Sequence, residues 1–436
     1  MVRIGLMASP KSLLDRRELM AGLGAAALLP IWPVSGWSQG ASSLALKAAP
    51  DRPALRPGGP ETPVWTLAGG NLSAKRGETA TIAIGNDLPV PLALHLRGID
   101  GVSAAEPLLA RRPLAAGANE AFPLPLRHAG TFLCDSGLLG DGQARPLRSK
   151  PLIVLESERV PVNYDEVCFI EEWRLRQDGT AIAPGTDPKD IKPLYTLNGQ
   201  TSFELSALGN RRMRLRFING SQRTVLAVKL ESHEVRVMAI DGQPAEPFPA
   251  RNGALILPPG GRADAFVDTG AAASILLHDG KEAHTIGKLV ISGHVERRAP
   301  LEPAPPLPSN GLPEQLDLKN AQRFDLVLGA PVDWVRPTDF TANGQPAFRA
   351  RKGRTVVLAL TNRGTVANVF HLHGHHFRLL DRLDDGWKPF WLDTLAIEPG
   401  QTQRIAFAAE YAGRWLIESA TTDWAAARLV RWYSVE

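Results

Sequence analysis

Two cysteines, Cys134 and Cys168, are too few for a disulfide scaffold or for a zinc cluster built on paired C-x-x-C spacing, so they allow one bridge or two free thiols. Charge of one sign is equally scarce. The net charge is +4, and setting aside the first 40 residues, with four basic and two acidic side chains, leaves +2. With no Lys/Arg run longer than a pair, the chain has no electrostatic footprint for nucleic acid. Beyond the N-terminal region no apolar run is long enough to span a bilayer, so no transmembrane segment is expected in the mature chain. Aromatics make up only 6%, whereas there are 40 Gly and 36 Pro. That balance predicts a turn-rich, all-β protein without long helices, and 436 residues suggest two or three domains.

Residues 11–33 read KSLLDRRELMAGLGAAALLPIWP: a basic start, two adjacent arginines, then an Ala/Gly/Leu stretch ending at proline. This resembles a twin-arginine signal peptide, and Leu19 to Trp32 is too short for an anchor. Residues 1–40 are therefore expected to direct export of the folded chain to the periplasm, an oxidising compartment.

The rest of the sequence repeats one grammar three times. KRGETATIAIGND from Lys75, GNRRMRLRFINGS from Gly209 and RKGRTVVLALTNRG from Arg351 each place a Gly turn before alternating apolar residues and an Asn-containing turn. The turn glycines, Gly77, Gly209 and Gly353, stand 132 and 144 residues apart. Short strands with turn-rich connections favour Greek-key β-sandwiches or barrels. The expected partition is 41–157, 158–298 and 315–436, with a stiff, extended proline-rich strap at 299–314.

Four of the ten histidines fall in VFHLHGHHF: His371, His373, His375 and His376. On a strand, His371 and His373 share a face and lie near enough to share a metal, while Gly374 allows His375 to leave that face. His128, His233, His278, His284 and His294 are isolated, and are expected at the surface or satisfied in a core. Trp387, Trp391, Trp415, Trp424 and Trp432 are expected to pack the last core.

Three exported repeats carrying VPLALHLRGIDG, then LNGQ with RLRFINGS, then HLHGHHF with AGRW, resemble the three-domain, laccase-like multicopper oxidases across essentially the whole mature chain. The resemblance implies three consecutive cupredoxin-like domains. It also identifies the positions that hold copper in the family. The first H-x-H falls on His95 and Arg97, and the second, after GTFLCDSG, on Asp135 and Gly137. The H-x-x-H-x-H falls on Asn368, His371 and His373. The closing H-C-H with its further ligands falls on Glu418, Ser419, Ala420, Trp424 and Leu429.

The blue copper position thus lacks its thiolate and imidazoles, and three of the eight histidines of the oxygen-binding cluster stay in place. Only Met213 and Met238 lie in the mature chain, so the methionine-rich segments of copper-handling relatives are absent. Arg97 is expected to bridge Asp135, Glu418 or both, because a buried charge left unpaired costs about 3 to 5 kcal/mol. The alternative is a mononuclear site for zinc, copper or iron on His95, His371 and His373 with Asp135 and Glu418. The sequence also resembles the copper-free, twin-arginine-exported members of this family that are associated with cell division. That likeness implies a non-catalytic binding or scaffold protein whose partner is a periplasmic or cell-envelope protein; a working oxidase is the least favoured reading.

Overall fold

A computed structural model describes residues 42–293, 301–329, 332–381 and 386–436. The signal-peptide expectation concerns residues outside this set. Among the described residues no helix is long and apolar enough to cross a membrane, and the helical elements are three-residue 3-10 turns.

Alternation of side chains explains the strands. In Thr79–Asn86, Ala80, Ile82 and Ile84 face the core while Thr79, Thr81 and Ala83 face outward. The described strands form six sheets, two from residues 43–155, two from 164–292 and two from 322–435. Each stretch closes a core of its own, centred on residues such as Trp65 and Phe132, Met213 and Phe217, and Phe370 and Trp415.

The three stretches share one pairing scheme. Ser43–Asp51, Tyr164–Arg174 and Gln322–Leu328 run parallel to Thr79–Asn86, Arg212–Asn219 and Thr355–Asn362. Those strands then pair antiparallel with Asn119–Pro125, Arg262–Asp268 and Thr402–Ala408. The repeated asparagine has a repeated task. Asn86, Asn219 and Asn362 are buried, and each Nδ2 donates both to a carbonyl in the adjoining turn and to one far along the chain. Each Oδ1 accepts the backbone N–H two residues ahead. One side chain thus ties a strand end, its turn and a distant segment together, a role no apolar residue can fill.

Residues 301–313 carry almost no regular structure. Leu307 is buried beside Met238 and Phe266, and Asn310 exchanges hydrogen bonds with the backbone of Ala129 and donates to Gln243. Of the two arrangements open to the cysteines, the free one is found: Cys134 and Cys168 are buried thiols in separate cores. Burial pushes both up to about 12, so neither is poised as a nucleophile.

Candidate functional site

Strand pairing brings the sequence-marked residues together in two halves. His95–Arg97 pairs with Gly130–Asp135, setting His95 opposite Asp135. Asn368–Leu372 pairs with Gly413–Thr421, setting His371 opposite Glu418. After Leu372 the chain turns at Gly374 with φ of 73°, where a Cβ would lie 2.2 Å from Trp415, so only glycine brings His373 inward there.

The halves meet face to face. His95 Nε2 lies 2.9 Å from His371 Nε2, and the rings of His95 and His373 stack at 3.7 Å. His371 Nδ1 donates to the main-chain oxygen of Asp393 at 2.9 Å, which leaves its Nε2 to accept from His95. His373 is held on both sides, Nδ1 by Glu106 Oε1 at 2.7 Å and Nε2 by Glu418 Oε1 at 2.8 Å.

Arginines close the group. Arg97 Nη2 is 2.8 Å from Asp135 and 3.5 Å from Glu418. Arg428 Nη1 is 2.8 Å from Glu418 and 3.5 Å from Asp135. Asp135 also accepts from the Gly137 backbone and the Ser149 hydroxyl. Every member of this group is buried.

Burial works against charge on His373, but Glu106 and Glu418 outweigh it and raise it to about 9. Burial, with His373 and His371 close by, lowers His95 well below its ordinary value, and burial with Arg97 nearby lowers His371 to about 4. Although burial opposes it, Arg428 and Arg97 bring Asp135 down to about 2 and hold Glu418 well below the carboxylate range. His373, Arg97 and Arg428 thus face Glu106, Asp135 and Glu418.

The other marked positions lie next to this group or beyond it. Ser419 donates to Asn368 Oδ1 at 3.0 Å, and Leu429 pairs with Ser419. Trp424 is buried, with Arg174 over its ring. Glu106 and Arg428 carried no motif. Their importance comes from register and packing, which no local pattern in the sequence marks. Of the two settings expected for it, His128 takes the core: it is buried against Gln243 and Asp100.

Ligand atoms of His95, His371, His373 and Glu418 all lie within 4.8 Å of one another, close enough to hold a metal ion. Profiles described as multicopper oxidase match residues 169–275 and 312–436, together more than half of the chain. Among solved structures, a multi-copper oxidase from Pseudomonas thermotolerans aligns with a TM-score of 0.80 at 24% identity, covering 92% of this chain and all of that one. A laccase-like enzyme from Ochrobactrum, described as having oxidase activity towards lignin model compounds, aligns at 0.73 and 18% identity, covering 91% and 97%. A metallo-oxidase from Campylobacter jejuni aligns at 0.68 and 12%, covering 90% and 91%. No curated protein matches in sequence. These likenesses define a cupredoxin-like fold. The chain belongs to the multicopper oxidase family.

Proposed function

We propose that this chain keeps the multicopper oxidase fold without its oxidase chemistry, and acts by binding another component of the cell envelope after export to the periplasm. In this reading it is built of three cupredoxin-like domains, at 41–157, 158–298 and 315–436. The observation that carries the proposal is the state of His373. An imidazole serves copper through a free lone pair, and both nitrogens of His373 are engaged by carboxylates. A coupled copper cluster does not fit the residues present. Three imidazoles remain, one of them is held as a cation, and three cations already balance three carboxylates. A dication added there would bring charge into a dry interior with nothing to offset it. At the blue copper position the Ser419 hydroxyl is bound to Asn368, and a hydroxyl is a poor, hard substitute for a thiolate.

A second reading rests on the facing nitrogens of His95 and His371, which are 2.9 Å apart: one copper or zinc ion held by that pair. Copper offered to the full chain, with the excess removed, separates the readings. The expected result is no blue absorption and no oxygen-dependent turnover of phenols. A blue band with several coppers per chain overturns the proposal, and a single copper lost on His95→Ala favours the second reading.

A further inference from the structure

Away from the central group, a second set of donors converges from the first and third stretches of chain, with the second supplying hydrogen-bond partners. Asp100, His128 and His376 are buried, and their ligand atoms lie within 4.8 Å of one another. Hydrogen bonds fix how the two rings point. His376 Nε2 lies 2.9 Å from the main-chain oxygen of Asp241, which only accepts, so Nε2 carries a hydrogen and Nδ1 faces the cluster. The side-chain orientation of Gln243 is set in turn by Asn310, which donates to its Oε1 and is itself held by the backbone of Ala129. Gln243 therefore presents its amide N–H group to His128 Nδ1 at 3.0 Å, with His376 Nδ1 at 3.4 Å, so His128 Nδ1 is an acceptor whose lone pair is taken by an uncharged amide.

Both Nδ1 atoms meet one oxygen, Asp100 Oδ2, at 2.7 Å from His376 and 3.6 Å from His128. Ligand atoms around a tetrahedral ion with bonds of about 2.0 to 2.1 Å stand about 3.3 Å apart, a spacing that lies between the two distances to Asp100 Oδ2 found here. The support a metal-binding histidine needs is also in place, since His376 donates its far nitrogen to a carbonyl. Asp100, Asp241, Asp393 and Glu410 gather near the cluster, against the His376 imidazolium and the guanidinium groups of Arg262, paired with Asp393 and Asp241, of Arg127, which donates to the Asp100 main chain, and of Arg76. A cavity of about 10 Å³, near the size of one water, lies against Asp100 and His376 between Leu312, Trp391, Glu410 and Tyr411.

We propose that Asp100, His128 and His376 bind one divalent transition-metal ion of the zinc type, at a site separate from the His95–His371 pair. The ion takes the place of the proton shared by His376 Nδ1 and Asp100, so each ion bound releases about one proton. It also displaces the Gln243 hydrogen bond to His128.

The test adds zinc alone to the metal-free full chain, removes the excess, and counts zinc and released protons. One zinc per chain is expected. Asp100→Asn and His128→Gln should each weaken binding by more than the ~10- to 100-fold that loss of a mere outer-shell partner brings, while His95→Gln changes it little. Melting temperatures establish that each variant is folded, and if Asp100→Asn is not, the near-isosteric His128→Gln carries the same test. A folded wild type that binds no zinc overturns the proposal. So does zinc lost in His95→Gln and retained in Asp100→Asn. Blue absorption and phenol turnover are read separately, so failure here is distinct from failure of the oxidase-loss reading.

Discussion

The two histidine clusters use the same residue types and differ in what surrounds them. At the centre, His373 has a carboxylate on each nitrogen, and Arg97 and Arg428 neutralise the remaining acids. In the second cluster, one carboxylate oxygen lies near two histidine nitrogens, and the groups hydrogen-bonded to the rings include a carbonyl and an amide. The first arrangement sets three cations among three carboxylates, whereas the second joins His376 to Asp100 through one shared proton and leaves His128 with a neutral amide partner. A histidine's identity therefore says less about its chemistry than the partner on its other nitrogen.

The strongest way to break this contrast is to open the central group. Arg428→Met should destabilise the protein by about 3 to 5 kcal/mol, because it leaves Asp135 and Glu418 sharing Arg97 in a dry interior. Denaturant unfolding measures this, and a loss under about 1 kcal/mol would mean that solvent reaches the group.

A matched pair sharpens the comparison. Glu106→Gln removes one of two carboxylates from His373 and should cost about 1.5 to 3 kcal/mol, as for a lost charge-assisted hydrogen bond. It should also lower the protonation midpoint of His373, readable by NMR of the ring. Zinc binding at the second cluster should be unaffected by Glu106→Gln.

A smaller effect concerns pH. His371, lowered to about 4, stays neutral in the folded protein while the unfolded chain takes up a proton near pH 6.5, so its contribution is lost as pH falls from about 6.5 towards 4. His373, raised to about 9, contributes fully below about pH 6.5 and loses that contribution as pH rises through 9. Metal-free protein should therefore be most stable near pH 6.5. In Glu106→Gln the alkaline limb should shrink to the part supplied by His376, which Asp100, against burial, also raises to about 9, while the acid limb persists.

Much of the fold was legible because its marks are local. Alternation, turn glycines and the asparagine after each repeated strand predicted the strands, and Asn86, Asn219 and Asn362 prove to be clamps with matching bonds. The central site was legible in part. His95, Arg97, Asp135, His371, His373 and Glu418 stand out by motif position, and the structure brings them together. Glu106 and Arg428 escaped because neither belongs to a motif. His128 is satisfied in a core, one of its two expected settings, but its partners, Asp100, Gln243 and His376, lie far away in sequence and carry no local mark.

The sequence by itself determined what each strand can do: which side chains face inward, where turns fall, and which copper-holding positions carry a histidine. Those properties follow from backbone geometry over a few residues. Only the tertiary structure decided which charges meet and which nitrogen of each histidine is free. Pairing inside a protein is fixed by distances of about 3 Å between residues hundreds of positions apart, and the desolvation that makes such pairs matter exists only once the sheets have packed.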